Sequence, residues 1–323
     1  MKENALCKSV LDAIGNTPLV ELSRLVSRDE GRIFAKLEYL NPGFSKKDRA
    51  AKQILEDAEK SGELRPGQTV VELTSGNMGT GLAIVCAIKG YHFVAVMSRG
   101  NSIERARMMA ALGAEVILVN QLPGSTPGQV SGDDLAEVEK VTRQIVKERN
   151  AFRADQFNHM GNFRAHYLNT AREIIEQADG CRIDAFCDFA GTGGSFSGIS
   201  KALKEHNPAL KAYLVEPEKC AVLSGKKLLS PNHKIQGGGY SMAELRFIDK
   251  KTVDGYLRVS DEEAVDAARK LAEKEGLFAG FSSGANAAAA MKLLKGELRG
   301  KSIVVLLCDS GLKYLSTDLW KDL

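Results

Sequence analysis

Val70-Val71-Glu72-Leu73-Thr74-Ser75-Gly76-Asn77-Met78-Gly79 runs from β-branched apolar residues, through a turn of small polar ones, into a helical pattern that continues to Lys89. The same progression of strand, loop and helix repeats on both sides of it. Working outward, apolar runs predict strands at residues 33–38, 69–73, 93–97, 115–119, 183–189, 211–215 and 303–307. Helical periodicity predicts helices at 47–61, 79–89, 103–112, 135–149, 163–177, 196–206, 261–276 and 285–294. Strands alternating with such helices predict parallel sheets covered by helices, an α/β architecture. One set of units lies before about residue 150 and another after it, and 323 residues suffice for two domains with separate cores. Residues 120–134, with Pro123, Gly124, Pro127, Gly128 and Gly132, are the most loop-like interior stretch and read as a lid or a disordered tip.

Composition excludes several classes. The chain is 44% hydrophobic and 26% charged, ordinary for a globular protein. Its net charge of +3, without clustered Lys/Arg and interleaved aromatics, carries no nucleic-acid signature. No apolar run is long enough to span a bilayer, and the first twenty residues hold charges and a Thr-Pro break in place of a secretory signal core. Cys7, Cys86, Cys181, Cys187, Cys220 and Cys308 show no Cys-x-x-Cys spacing, and several lie in apolar runs. They read as reduced core residues of a cytoplasmic protein. The five histidines are dispersed, so no metal site is expected.

Asn41-Pro42-Gly43-Phe44-Ser45-Lys46-Lys47-Asp48-Arg49 places Ser45 as a helix N-cap, with Asp48 at the spacing of a capping box. Lys47 then falls in the first helical turn, where the macrodipole disfavours its charge and lowers its pKa. That suits a lysine presenting a free amine to an aldehyde, although a solvated cation near a cap reads the same way. Three strand–loop–helix junctions accompany it. Thr74-Ser75-Gly76-Asn77 brings hydroxyls, an amide and backbone N–H groups to a helix N-terminus, which is a carboxylate or phosphate site or a structural turn. Gly191-Thr192-Gly193-Gly194-Ser195 lets the backbone wrap a phosphate. A dinucleotide site is its rival: the third glycine is missing at the fingerprint spacing, although Gly198 is near and Glu216 ends the next strand. Gly280-Phe281-Ser282-Ser283-Gly284-Ala285-Asn286 opens an alanine-rich helix, as a third site or as tight packing.

These junctions fall within a longer ordered series: Ile14-Gly15-Asn16-Thr17-Pro18-Leu19, Ser45 to Arg49, Thr74 to Asn77, Ser102-Ile103-Glu104-Arg105, Gln156-Phe157, Gly191 to Ser195, His233-Lys234-Ile235-Gln236-Gly237, Ser282-Ser283-Gly284 and Tyr314-Leu315-Ser316-Thr317. The series covers nearly the whole chain and resembles the cysteine synthase and cystathionine β-synthase family of fold-type-II pyridoxal-phosphate enzymes. It is most similar to the O-acetylserine sulfhydrylase-like cysteine synthases. The resemblance implies a tryptophan synthase β-like α/β fold of two domains, each a mostly parallel twisted sheet flanked by helices. Residues 1–40 would pack on the larger domain, residues 41–150 would form a smaller, mobile substrate-binding domain, and residues 151–323 the larger, phosphate-binding one.

The resemblance also implies roles. Lys47 matches the lysine that holds pyridoxal 5'-phosphate as an internal aldimine and shuttles the α-proton, and Asn77 the residue at the ring's phenolic oxygen. Gly191, Thr192, Gly193, Gly194 and Ser195 match the phosphate cup, with the Ser195 hydroxyl expected to keep its contact. Ser282 matches the partner of the pyridine nitrogen; a neutral hydroxyl there makes the ring a weaker electron sink, suited to β-elimination. Thr74, Ser75, Gly76 and Gln156 match the grip on the substrate carboxylate. Met78 stands where a threonine is common and makes the pocket more apolar. Gly237 and Tyr240 fall on the substrate side, where Tyr240 either shapes the second substrate or only packs. The implied reaction replaces the β-substituent of an activated L-serine such as O-acetylserine with sulfide, through α-aminoacrylate, to give L-cysteine. Alternatives of the same chemistry are an L-cysteine-consuming enzyme that releases hydrogen sulfide and cystathionine β-synthase-like thiol addition. A nicotinamide oxidoreductase would leave Lys47 without a task, and docking of a partner's C-terminal peptide is a further possibility. A homodimer, amino-acid and sulfide or thiol substrates, and a bare catalytic core without haem segment or regulatory module complete the expectation.

Overall fold

The computed structural model describes residues 6–74, 76–125 and 130–321. The strands there are β1 (Leu19–Glu21), β2 (Gly31–Lys36), β3 (Val70–Leu73), β4 (Phe93–Ser98), β5 (Glu115–Val119), β6 (Phe152–Arg153), β7 (Ala185–Phe189), β8 (Lys211–Pro217), β9 (Gly255–Val259) and β10 (Lys301–Leu306). They make a six-stranded sheet in the order β1-β2-β10-β7-β8-β9 and a four-stranded sheet in the order β5-β4-β3-β6. β1 runs antiparallel to β2, and every other pairing is parallel. The helices are α1 (Lys47–Ser61), α2 (Asn77–Lys89), α3 (Ile103–Ala111), α4 (Gly132–Glu148), α5 (Gly161–Ala165), α6 (Ala171–Gln177), α7 (Gly194–His206), α8 (Asp261–Glu275) and α9 (Phe281–Lys295). α5 and α6 are joined by a π turn, His166–Thr170, within the single helix that periodicity suggested.

Period-two alternation divides the strands between two cores per sheet. In the six-stranded sheet Ile33, Cys187 and Val305 face α8 and α9, while Phe34, Phe186 and Val304 face α6 and α7. In the four-stranded sheet Val70 and Ala95 face α1 and α2, while Val71, Val94 and Val96 face α4. Strands buried on both faces are near-continuous apolar runs, which is why they could be read without knowing their partners. β1, β6 and β9 went unread because they are three residues, two residues and a half-exposed edge respectively. β6 pairs with β3, so the four-stranded sheet continues past residue 150. The first forty residues divide: β2 lies inside the six-stranded sheet, whereas Leu11 and Ile14 join the core around α1 and α2. Cys86, Cys187, Cys220 and Cys308 are buried as the sequence suggested, but Cys7 is exposed. No helix among the described residues is long and apolar enough to cross a membrane.

A buried ionic knot fixes the direction in which α1 leaves its start. Arg49 Nε donates to Glu38 Oε2 at 2.7 Å and Nη1 to Glu173 Oε1 at 2.6 Å, and Lys36 Nζ lies 2.7 Å from Glu173 Oε2. It joins β2, the turn after it, α1 and α6. Burial pushes the Glu38 carboxyl up, but Arg49 outweighs it, and the net shift is down. Glu173 is likewise lowered against burial, chiefly by Arg49. Both therefore contribute stability above the ordinary carboxylate pKa, and that contribution fades as pH falls through their lowered values. Arg49→Met should lose about 3–5 kcal/mol, because two carboxylates are left buried with one lysine between them. Urea unfolding should show that loss at neutral pH and a smaller gap between variant and parent in acid; an equal gap at both would contradict the assignment.

Candidate active site

The segment before α1 is held by the far end of the chain. Ser45 pairs with Asp309 in an isolated antiparallel bridge, Lys46 N donates to Cys308 O at 2.9 Å, and Ser310 N donates to Phe44 O at 3.1 Å. α1 begins immediately after, at Lys47. The expected capping box does not form: Asp48 accepts from Gly43 N, and Ser45 Oγ accepts only a long 3.3 Å contact from Lys47 N. Gly43 turns back over the first helical turn and takes the carboxylate that a box would have used. Lys47 is partly buried, and among the described residues its amine has no hydrogen bond or ion pair. Burial and then the adjacent Lys46 cation bring it down to about 8. The lowered pKa expected from the sequence is present, but these causes stand where the helix dipole was invoked.

Asn77 opens α2 across from this segment. Its Nδ2 donates to Asp309 Oδ2 at 2.7 Å, and its Oδ1 accepts from Lys313 Nζ at 2.7 Å. An acceptor on one side and a donor on the other leave the amide a single orientation, with one N–H free among the described residues. Lys313 also donates to Gly43 O at 2.8 Å, and Tyr314 OH to Asp309 Oδ2 at 2.6 Å. Burial brings Lys313 down to about 8.

The Gly191–Ser195 loop leads from β7 into α7. Gly193 caps α7 at φ +85°, a conformation that disfavours any side chain, and the first-turn N–H groups beyond it have no intrahelical acceptor. Asn162 Nδ2 supports the loop by donating to Thr192 Oγ1 at 2.8 Å. The Ser195 hydroxyl differs from expectation: it donates to Asp188 Oδ2 and accepts from Lys46 Nζ at 2.9 Å, so both its functions are already engaged. Ser282 lies in the first turn of α9, and the adjacent Ser283 Oγ accepts from Cys308 N at 2.8 Å. Burial pushes the Cys308 thiol up to about 12.

The substrate-side residues separate into two groups. Thr74 Oγ1 accepts from Gly76 N at 3.0 Å and Gly79 N at 2.8 Å, capping α2 and leaving its own O–H to donate. Gly76 caps the same helix at φ +128°, and a Cβ there would lie 2.5 Å from Arg105 Cδ. Gln156 Nε2 donates to Leu73 O at 3.2 Å, beside the same junction. Ser75 lies outside the described residues. Gly237 and Tyr240 border a cavity of about 700 Å³ lined also by Asn101, Arg105, Gln236 and Thr317. Tyr240 also meets Phe157 edge-on at 5.8 Å. Met78, the second residue of α2, is 2% exposed and packs in the core around α1 and α2. Its apolarity serves that packing.

Sequence reasoning missed Lys46, Asp188, Asp309, Asn286 and Lys313. A signal existed for the two aspartates: each is a lone acid where an apolar strand ends, the place where open α/β sheets carry their ligand sites. Arg105 Nη2 donates to Gln236 Oε1 at 2.7 Å, tying α3 to the cavity rim.

An unpaired amine, a glycine cradle at a helix N-terminus and an oriented amide together suit a phosphorylated aldehyde. The sequence model of the pyridoxal-phosphate dependent enzymes matches residues 10–309. The chain belongs to that family. Cysteine synthase of Staphylococcus aureus is 38% identical to this pyridoxal-phosphate enzyme over 312 residues, 97% of this chain and 96% of that one. O-ureido-L-serine synthase of Streptomyces lavendulae is 37% identical over 315 residues, 98% and 93% of the two chains. The solved structure of a hydrogen sulfide-producing enzyme from Fusobacterium nucleatum is similar at TM-score 0.87 and 39% identity, covering 96% of this chain and 100% of that one.

Lys313→Met should release Asn77 Oδ1 and Gly43 O. Titration with pyridoxal phosphate is expected to show roughly tenfold or more weaker binding, the loss of about one charge-assisted contact. An unchanged affinity would mean that the Asn77 amide does not depend on this lysine.

Proposed function

We propose that this pyridoxal-phosphate enzyme is a cysteine synthase, replacing the β-substituent of an activated L-serine with sulfide. The observation that carries the reading is the Lys47 amine, unpaired among the described residues, at the start of α1, where Lys47 O lies 3.1 Å from a Cβ placed on Gly81 of α2 and Lys46 Nζ lies 2.9 Å from Ser195 Oγ of α7. Bound there, the cofactor supplies an aldehyde carbon for amines and a conjugated ring that accepts the electron pair left by the α-proton. Lys47 would hold it and, once displaced by the substrate amine, take the α-proton on Nζ; an amine brought down to about 8 is fit for that near neutral pH. The N–H groups of Gly191 to Ser195 would take the phosphate. The free N–H of Asn77 would meet the phenolic oxygen, and the Ser282 hydroxyl the pyridine nitrogen. Thr74, Ser75, Gly76 and Gln156 would bind the substrate carboxylate at the N-terminus of α2, where the helix dipole favours an anion. Arg105, by tying α3 to Gln236, would help keep water from the reacting carbons.

A smaller, movable unit around the four-stranded sheet and a larger one around the six-stranded sheet would let the substrate enter between them. A homodimer in the cytoplasm goes with this reading. A second reading is favoured by one feature, Tyr240 at the border of a cavity of about 700 Å³. It would accept an organic thiol or the product side of L-cysteine consumption.

O-acetyl-L-serine and sulfide should give L-cysteine, and Lys47→Ala should lose at least about a thousandfold in rate. Retained turnover in that variant would overturn the assignment of Lys47. Sulfide release from L-cysteine with no response to O-acetyl-L-serine would replace the first reading with the second.

A further inference from the structure

We propose that Lys46 is a positioning residue for this chemistry: seated on Asp188 and Ser195 Oγ, its ammonium pins the start of α1 to the start of α7 and so sets Lys47 against the phosphate-binding loop. The inference rests on the reading of Lys47 and the Gly191–Ser195 loop given above. Lys46 Nζ lies 2.9 and 3.0 Å from the two Asp188 oxygens and 2.9 Å from Ser195 Oγ. The two charged side chains are 11% and 0% exposed. Asp188 is anchored in turn from the β10 side, where Asn286 Nδ2 lies 3.4 Å from its Oδ1 and 2.9 Å from Leu306 O, and Cys308 Sγ lies 3.8 Å from the same Oδ1.

Stability alone gives little reason for such a pair. Well-packed apolar side chains commonly replace a buried ion pair without loss. This one occupies the residue next to the unpaired amine and consumes the hydroxyl of the residue that closes the phosphate loop. With its hydroxyl committed, Ser195 is left to address a phosphate by its backbone N–H, and Lys46 decides where that N–H points. Lys46 also acts on Lys47 as a charge. The groups facing Lys47 are Lys46 beside it, Asp188 from β7, Cys308 after β10 and Glu72 from β3, with His166 of the π turn feeling both lysines. Lys46 disfavours the Lys47 ammonium, while Asp188, Cys308 and Glu72 favour it. Removing Lys46 thus leaves the Asp188 carboxylate as the charge acting on Lys47, and removing the Asp188 charge takes that stabilisation away.

The test uses the full chain stripped of cofactor, and follows pyridoxal phosphate affinity together with the pH midpoint at which its capture accelerates. Lys46→Met should weaken affinity roughly tenfold or more and raise the midpoint by about one pH unit, the effect of one near charge. Lys46→Arg, which keeps the cation, should restore the midpoint. Asp188→Asn should move the midpoint the other way, downward, and covers the case in which Lys46→Met fails to fold. A merely structural pair would weaken binding in both variants without opposite midpoint shifts, and that result overturns the inference while leaving Lys47 as the capturing amine. Parent protein that captures no pyridoxal phosphate at any pH overturns the underlying reading and this inference with it.

Discussion

Two consecutive lysines stand at the start of one helix, Lys46 buried and Lys47 partly so, and the site makes them unlike. An ammonium in an apolar interior must find opposite charge or give up its proton. Lys46 finds Asp188, which outweighs the burial penalty and holds its pKa above the ordinary lysine value. Lys47 finds no partner among the described residues and is brought down instead. A charged neighbour and burial push the same way, so one pair of residues yields a fixed cation and an amine that gives up its proton near pH 8.

That arrangement needs a rigid helix start, and the fold supplies it from distant parts of the chain. The Ser45–Asp309 bridge holds the segment before α1, and the Arg49–Glu38–Glu173 knot holds the turn after it. Asp309 serves both ends of the arrangement, since it also fixes the Asn77 amide with Tyr314. Further buried groups share the near-neutral range: burial raises Asp48 to about 7 and Glu72 to about 8. Such clustering of shifted groups in one place is characteristic of a site that moves protons.

Much of the fold was legible because parallel strands buried on both faces announce themselves as apolar runs, and α1 was read to its ends. β1, β6 and β9 were not, since their pairing and not their composition makes them strands. The glycine loop and the Thr74–Asn77 junction were legible for the opposite reason: small polar residues before a helix are conspicuous. Lys46, Asp188 and Lys313 stayed hidden because a lysine or aspartate in sequence looks solvated until a partner is placed beside it. Met78 stands next to a polar junction, and only in space is its side chain seen to join the core around α1 and α2. Ser195 carried the right residue type for a phosphate contact, but a hydroxyl already donating to Asp188 could be seen only in space.

The central claim is that, of the lysines near this site, Lys47 alone offers its amine to an aldehyde, Lys46 and Lys313 being committed to partners. Borohydride reduction of the protein loaded with pyridoxal phosphate, followed by peptide mass mapping, tests it most directly. The account predicts a single phosphopyridoxyl group, on Lys47. Label on Lys46 or Lys313, or spread over surface lysines with Lys47 unmodified, would contradict it.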